Sequence, residues 1–325
     1  MLMAHNIERL ADGSYSMAYV GETPWHELGK KVHGDLTPAQ MLKEAGLDWE
    51  VEQVPAFAMV GDKKIAMDHC ALIRKSDGKK LDEVTTDWKS IQNLTAFEFF
   101  NDFVGEGNMS MHTAGSLQGG SIVWGLAKIK EGFTIFEKDK VDGYLLFTNF
   151  HKYGYSTDVR FTPIRVVCNN TLTLSLQSKS DRVVRVSHRR EFIADEVKET
   201  LGVAKEKLAK YKEMAEFLGS KRYAPTDALA YFKDLFPSTA GKEKEEDKVI
   251  EPSRSARMAM AILETQPGAQ YAPGTWWNTY NAATFLVDHT IGRSRDTRLT
   301  SSWYGNGRKL KIKALEKAVE MANAA

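Results

Sequence analysis

Apolar and polar positions alternate through much of the N-terminal half of the chain. The alternation is clearest at 49–60 (WEVEQVPAFAMV), 63–75 (KKIAMDHCALIRK), 121–129 (SIVWGLAKI) and 144–169. Alternation of this kind is typical of β-strands with one buried face. The dipeptides Gly61-Asp62 and Asp77-Gly78 follow the first two runs and indicate hairpin turns. The pattern predicts a mostly antiparallel sheet.

Two stretches of helical spacing interrupt these strands. Thr37 is a suitable N-cap for a short helix that ends near Gly46. The second stretch, 93–107 (NLTAFEFFNDFVGEG), carries large apolar residues on one face, which predicts a single helix. Strands combined with helices on one face of the sheet indicate an α+β fold for residues 1–192.

After Phe192 the pattern becomes helical. Seven positions alternate spacings of four and three: Val197, Leu201, Ala204, Leu208, Tyr211, Ala215 and Leu218. This is the seam of a coiled coil or of a tightly packed helical hairpin. Two interpretations stay open, namely packing within the chain and homo-oligomerisation through 197–218.

Further helices are predicted at 225–236, 253–265, 275–292 and 307–324. The stretch 238–252 (STAGKEKEEDKVIEP) is charged, poor in apolar residues and bounded by prolines, so it is predicted to be a linker. The chain therefore divides into a β-rich α+β core at 1–192 and a helical region at 193–325, which ends in a basic segment.

Composition restricts the class of protein. The chain has 44 basic and 43 acidic residues among 325, a net charge of +1, which excludes a uniformly basic nucleic-acid coat. The two cysteines, Cys70 and Cys168, are far apart and fit a reducing cytoplasm. No secretion signal and no run of about 18 apolar residues is evident, so we expect a cytoplasmic protein without a membrane span.

Basic residues concentrate in two segments in spite of the neutral total. The first segment contains Arg182, Arg185, Arg189 and Arg190. The second, 292–313, contains Arg293, Arg295, Arg298, Arg308, Lys309, Lys311 and Lys313 against one acid, with Trp303 and Tyr304 between them. Cations that follow a phosphate backbone and rings that stack on bases are typical of single-strand binding. The alternative for the second segment is a solvated surface above two core aromatics.

Other motifs give weaker indications. The glycine-rich run 113–125 (TAGSLQGGSIVWG) has neither a Walker ending nor the GxGxxG pattern. Its glycines are better explained by tight turns, or by a close approach of backbone between a helix and a strand. Ser116, Gln118 and Ser121 could still meet a ligand there.

Titratable residues do not form a recognisable catalytic motif. His112, His151, His188 and Asp288 could assemble a metal site only through the fold, and scattered histidines are usually structural. Cys168 lies in an apolar run, which favours a packed thiol over a nucleophile. We therefore predict no catalytic residues, no metal and no cofactor.

Five blocks taken together resemble a known family. They are TPWHELG, AGLDWEVEQVP, TAGSLQGGSIVWGLAKI, FTPIRVVCNNTL and GTWWNTYNAATFLVDH. In this order the chain resembles, from about residue 23 to 315, the phage/plasmid-like family of unknown function. At 81–93 (LDEVTTDWKSIQN) it departs from the family pattern, which usually has a glycine-containing hairpin there. The resemblance implies a mobile-element origin and a bacterial cytoplasmic setting, and it supplies no catalytic residues.

The preferred hypothesis is a non-catalytic DNA-metabolism protein that binds single-stranded nucleic acid and promotes strand annealing or recombination. Two alternatives stay open. One is an enzyme acting on nucleotides or nucleic acid, with His151, His188 and Asp288 in one pocket. The other is an interaction protein that inhibits a host factor through 197–218 and the charged linker.

Overall fold

Strands predominate in the described part of the chain up to Val186, and helices make up the part from Val203 onward. The computed structural model describes residues 7–24, 27–130, 132–136, 138–165, 170–171, 184–189, 203–238, 251–292 and 295–324. The strands are β1 (Met17–Val20), β2 (Lys30–Val32), β3 (Val51–Val60), β4 (Lys63–Arg74), β5 (Lys79–Thr85), β6 (Met109–Leu117), β7 (Ile122–Ile129), β8 (Phe133–Ile135), β9 (Asp139–Phe150), β10 (Thr157–Arg165), β11 (Asn170–Thr171) and β12 (Val184–Val186). The helices are α1 (Pro38–Glu44), α2 (Asn93–Glu98), α3 (Asn101–Gly105), α4 (Val203–Ser220), α5 (Pro225–Leu235), α6 (Arg254–Ile262), α7 (Trp276–Phe285), α8 (Arg295–Tyr304) and α9 (Asn306–Ala324). The α+β class is confirmed.

The chain forms two units. The first comprises Met1–Lys130, Tyr144–Phe161 and Arg182–Ala204, and the second comprises Glu131–Gly143, Thr162–Asp181 and Lys205–Ala325. Two stretches of the region expected to form the N-terminal core thus belong to the second unit.

The first unit is built on two sheets. Its larger sheet has the strand order β10-β9-β7-β6-β1-β2, and β12 pairs with β10. All the pairings described in it are antiparallel except that of β1 with β2. The second sheet is the antiparallel set β3-β4-β5. Both predicted hairpin turns, at Gly61 and at Gly78, are confirmed, with a positive φ at each glycine.

Helix α1 begins as its sequence predicts. The Thr37 hydroxyl accepts a hydrogen bond from the Gln40 N–H, and the Gln40 side chain accepts one from the Thr37 N–H. This reciprocal capping box satisfies two N–H groups that the first turn would otherwise leave open. Gly46, with φ +66°, follows the last turn. Met41 and Leu42 then turn into the apolar core of the unit.

Residues 93–107 are not one helix, as the sequence suggested, but two. They form α2 and α3, because Phe99 and Phe100 both turn into the core at the break. Phe97 and Phe100 are fully buried, and their rings lie against Gly125 of β7. A Cβ atom at Gly125 would lie 3.1 Å from Phe97 Cζ. The glycine therefore allows the close helix–strand approach that we predicted.

Aromatic rings form the core of the second unit. Tyr211 lies 6.1 Å from Trp277, measured between ring centroids, and both are fully buried. Trp277 Nε1 donates a 3.0 Å hydrogen bond to Asp139 Oδ2. Tyr211, Ala215 and Leu218 of the heptad seam are completely buried, so this part of the seam packs within the chain.

The remaining predictions for the C-terminal region have mixed outcomes. Helices α5, α6, α7 and α9 lie where the pattern predicted them. Residues 295–304, for which the sequence predicted no helix, form the helix α8. Val197, Leu201 and 239–250 lie outside the described residues.

Among the helices that are described, none is long and apolar enough to cross a bilayer.

Candidate nucleic-acid interface

A tight turn joins β6 to β7 in the first unit. Its three residues, Gln118, Gly119 and Gly120, all have positive φ, at +52°, +67° and +95°. Such a run is accessible to glycine and strained for glutamine. A Cβ atom at Gly119 would lie 2.3 Å from Lys79 Nζ, so this turn, here called the glycine turn, is closely covered by a lysine.

Buried charges fix the strands around the glycine turn. Glu8 and Arg74 are each only 5% exposed, with Glu8 Oε1 2.8 Å from Arg74 Nη1. The Ser116 hydroxyl donates a 2.8 Å hydrogen bond to the other Glu8 oxygen, and Lys79 Nζ lies 3.3 Å from Glu8 Oε1. A buried carboxylate needs such partners to remain charged. The glutamate therefore ties the N-terminal segment to β4, β5 and β6.

Arg74 has a second acidic partner at the surface. Its Nε donates a 2.9 Å hydrogen bond to Asp77 Oδ1. This hydrogen bond lowers the pKa of Asp77 to about 2 and raises the pKa of Arg74. Both groups therefore keep their charge over the whole physiological range.

Residues 151–156 (HKYGYS), here called the tyrosine loop, join β9 to β10 beside the glycine turn. Lys152 Nζ donates a 3.2 Å hydrogen bond to Gln118 Oε1, and the Tyr153 N–H donates a 2.8 Å hydrogen bond to Asp82 Oδ2. Tyr153 is 55% exposed and Tyr155 is 49% exposed. About half of each side chain is therefore open to solvent.

The two rings differ in their surroundings. Tyr155 stacks on Phe150, with ring centroids 5.0 Å apart, and Lys152 Nζ lies 5.6 Å from the Tyr155 centroid. Tyr155 is thus held on one side by a ring and approached by a cation. Tyr153 is the more exposed of the two, and its backbone is anchored to Asp82. The loop presents an aromatic ring and an ammonium group side by side.

A buried polar network supports the tyrosine loop from below. His151 is fully buried, and its Nε2 donates a 2.8 Å hydrogen bond to Asn93 Oδ1. Asn93 Nδ2 in turn donates to the carbonyl of Leu47 at 3.0 Å. Burial, reinforced by the nearby His188, lowers the pKa of His151 to about 3. The imidazole is therefore neutral and structural.

A second branch of this network holds residues 88–91. His188 Nδ1 donates a 3.0 Å hydrogen bond to the carbonyl of Lys89, and its ring stacks on Trp88 at 4.1 Å. Burial lowers the pKa of His188 too, while the bond to Lys89 opposes that shift. Asn149 Nδ2 donates a 2.7 Å hydrogen bond to the carbonyl of Ile91. These contacts order residues 88–91.

One predicted arginine, Arg185, lies on β12 next to the tyrosine loop, and another, Arg189, lies shortly after that strand. Thr157, the first residue of β10, pairs with Val186 of β12, so the residues after Val186 reach the end of β10 where the loop ends. Arg185 is exposed. Arg189 is also exposed, with its Nε 3.4 Å from Asp87 Oδ2. Arg182 and Arg190 lie outside the described residues.

The C-terminal basic segment is placed differently from our expectation. Lys311 is completely buried, and its Nζ donates hydrogen bonds to Asp288 Oδ1 at 2.8 Å and to Ser302 Oγ at 2.7 Å. Trp303 is also buried, at 9% exposure. Neither side chain is available to a ligand at the surface. Trp303 is thus a core aromatic, as in the alternative interpretation, whereas neither interpretation predicted the burial of Lys311.

Arg298 is likewise inside the second unit. Its Nη2 donates a 3.2 Å hydrogen bond to the carbonyl of Thr290, where a π-helical turn (Leu286–Thr290) ends. Arg298 lines a pocket of about 450 Å³.

The other residues of the basic segment differ in exposure. Tyr304 and Arg308 are half-buried, and Lys309 is exposed. Arg293 lies outside the described residues. The two basic segments belong to different units.

The residues considered for a metal or a catalytic site have separate structural roles. His112 Nδ1 lies 2.7 Å from Thr113 Oγ1, and its ring meets Tyr144 edge-on. Asp288 is paired with Lys311. Within the described ranges, no group of three histidine, cysteine or acidic side chains could hold a metal ion.

Sequence reasoning missed the tyrosine loop as a site. The sequence predicts only a turn at the motif HKYGYS, although it contains a lysine and two tyrosines within four positions. Gln118 and Ser121 were named as candidates, and they do lie beside the loop. Gln118 accepts from Lys152, whereas the Ser121 hydroxyl donates to the Leu81 carbonyl at 3.1 Å. What the sequence did not show was that these loops meet.

Comparison with known proteins identifies the family. A family model described as a domain of unknown function (DUF932) matches residues 80–305, more than half of the chain. The chain belongs to the DUF932 family. No curated protein and no solved structure matches it.

Proposed function

We propose that this protein binds single-stranded nucleic acid through the tyrosine loop and the neighbouring strand β12. The observation that carries the proposal is the exposure of Tyr153 and Tyr155 around Lys152. A base that stacks on an exposed ring brings its phosphate close to a neighbouring cation, and this works for any base. Arg185 on β12 and Arg189 beyond the end of that strand add positive charge next to the loop.

Rigidity of the loop favours the same function. The Tyr155 ring is fixed on Phe150, the backbone N–H of Tyr153 is bonded to Asp82, and His151 is held in the core by Asn93. A ring that is already positioned loses little conformational entropy when a base stacks on it. The tyrosine loop therefore needs no rearrangement before a base can stack on it.

The charge balance limits the interface to a few phosphates. The whole chain carries a net charge of +1, and Asp82 and Asp87 lie among the basic residues of the face. Stacking then supplies more of the affinity than charge does. We expect modest affinity with a shallow salt dependence, since each neutralised phosphate contributes to the slope.

The resemblance over residues 23–315 to the phage/plasmid-like family supports a narrower form of the proposal. In this form the protein belongs to a phage, prophage or plasmid, acts in the bacterial cytoplasm, and promotes annealing or recombination of complementary strands. The annealing activity requires that the protein bind two strands together.

Binding is tested by fluorescence anisotropy with a labelled single-stranded oligonucleotide at low salt. Tyr153→Ala should weaken binding about 10-fold, since stacking on one ring contributes about 1–3 kcal/mol per base. Tyr153→Phe should retain most of the affinity because it keeps the ring. Lys152→Ala should weaken binding and reduce its salt dependence.

Matched controls separate the loop from general surface effects. Phe57→Ala removes another exposed ring of the same unit, 46% exposed, and Lys31→Ala removes an exposed lysine of β2. Both should leave the affinity unchanged. Absence of binding by the unmodified protein, or equal losses in the controls and in Tyr153→Ala, would contradict the proposal.

A further inference from the structure

The pocket that Arg298 lines lies within the second unit and has a volume of about 450 Å³. Its walls come from three places, namely the π-helical turn with the two residues after it, one side of α8, and the first turns of α9. Small-molecule sites in proteins have volumes of about 300–1,000 Å³. The pocket is therefore large enough for a small organic ligand.

Two glycines make a close corner between α8 and α9. A Cβ atom at Gly305 would lie 3.1 Å from Ser301 Cα, and one at Gly307 would lie 3.0 Å from the Ser301 carbonyl oxygen. The Gly307 N–H donates a 3.1 Å hydrogen bond to Ser301 Oγ. Helix α9 therefore begins directly against α8, and Asn306 and Gly307 of its first turn form part of the pocket wall.

Arg298 brings a positive charge to this pocket. Its side chain is largely buried, and it donates hydrogen bonds from Nε to the carbonyl of Ile291 at 3.3 Å and from Nη2 to the carbonyl of Thr290 at 3.2 Å. Both acceptors are neutral, so these two bonds hold the guanidinium in place without cancelling its charge. A guanidinium that is held in this way is pre-organised for binding a phosphate group.

The start of α9 adds to the positive potential at the pocket. The N-terminus of this 19-residue helix carries a partial positive charge, and phosphates bind readily at such ends. Lys309, also in the first turn, is exposed. The segment 292–313, which supplies most of the lining, contains seven basic residues and one acid. The surroundings of the pocket therefore favour an anion.

The rest of the lining shows what kind of anion fits. Val287, Ile291 and Leu310 contribute aliphatic surface, and Thr297 and Ser301 contribute hydroxyl groups. An inorganic ion would leave the aliphatic part of the pocket uncovered. A ligand that fills the pocket needs an apolar body beside its anionic group. A phosphate has more acceptor oxygens than a carboxylate, so it suits an arginine, hydroxyl groups and a helix N-terminus together.

We propose that this pocket binds a small phosphate monoester with a compact apolar body, of about the size of a nucleoside monophosphate. The phosphate lies between Arg298 and the first turn of α9, and the body lies against Val287, Ile291 and Leu310. Arg298 then serves a free small molecule and not a nucleic-acid strand. The tyrosine loop belongs to the first unit, so this proposal does not depend on the proposed function.

Isothermal titration calorimetry of the full chain with AMP, adenosine and inorganic phosphate tests the proposal. AMP should bind at least about 10-fold more tightly than either of the other two, because only AMP occupies both parts of the pocket. Asn306→Asp should weaken AMP binding about 10-fold, since it places a negative charge beside the phosphate. Thr297→Phe should weaken it as much by filling the pocket. Both positions are exposed, and an acid at a helix N-terminus stabilises the helix, so both variants should fold.

Three control variants should leave the affinity for AMP unchanged. Asn323→Asp makes the same charge change at an exposed position at the other end of α9, and Thr226→Phe makes the same change in size at an exposed position of α5. Tyr153→Ala shows that AMP is not bound at the tyrosine loop. No binding of AMP at millimolar concentration would overturn the proposal. An affinity that either pocket variant leaves unchanged, or that Tyr153→Ala reduces as much as the pocket variants do, would also overturn it.

Discussion

The buried His151 should make the protein less stable in acid. Its pKa is about 3 in the folded chain, against an ordinary value of 6.5, because burial disfavours the charged ring. Below pH 6.5 the unfolded chain takes up a proton at this position and the folded chain does not. Stability is therefore lost as the pH falls from 6.5 toward 3, and none is lost above that window.

The expected magnitude follows from the size of the shift. At about pH 5 the histidine is mostly protonated in the unfolded chain and neutral in the folded chain. One pKa unit corresponds to about 1.4 kcal/mol, so this group alone costs about 2 kcal/mol relative to pH 7. His188 shifts in the same direction, so it adds to the total effect.

The substitution His151→Gln isolates the contribution of this ring. Glutamine can still donate to Asn93 Oδ1 and does not titrate. In urea unfolding followed by circular dichroism, the unmodified protein should lose about 2 kcal/mol more than the variant between pH 7 and pH 5. His33→Gln, at an exposed position, serves as the control for a His-to-Gln change outside the core. Equal losses in the unmodified protein and His151→Gln would refute a buried neutral His151.

Two further predictions concern stability. Lys311→Met leaves the carboxylate of Asp288 buried without its cation and should destabilise the second unit by about 3–5 kcal/mol in urea unfolding; a loss under about 1 kcal/mol would argue against the buried pair. Gly125→Ala places a Cβ 3.1 Å from Phe97 Cζ and should cost about 1–3 kcal/mol, whereas Gly105→Ala, with open space around it, should not destabilise. Equal effects of the two alanines would contradict the packing of α2 on β7.

Local signals in the sequence were sufficient for many of the elements. Thr37 and Gln40 define the start of α1 within four residues, and Gly61-Asp62 defines the turn of the first hairpin. In each case the interacting groups are close together along the chain. Interactions between residues that are neighbours in sequence therefore determine where α1 begins and where the first hairpin turns.

The candidate site depended on contacts that are distant in sequence. Glu8 is joined to Arg74 and to Ser116, 108 positions further along. The tyrosine loop meets the glycine turn through Lys152 and Gln118, which are 34 positions apart. No periodicity or spacing indicates such pairs, because they arise only when the strands assemble.

Burial of charge was the other unpredictable feature. Lys311 lies in a run of basic residues, and lysines in such runs are usually solvated. Its partner Asp288 is 23 positions away on a different helical segment. Once that ion pair is formed, the position belongs to the core.

Photo-crosslinking tests the central claim of a nucleic-acid interface most directly. A single-stranded oligonucleotide that contains bromodeoxyuridine would be bound to the full chain, irradiated, and mapped by mass spectrometry of the peptides. The account predicts crosslinks at Tyr153 or Tyr155, lost in Tyr153→Ala/Tyr155→Ala. Crosslinks confined to other peptides, or no crosslink at saturating oligonucleotide, would contradict it.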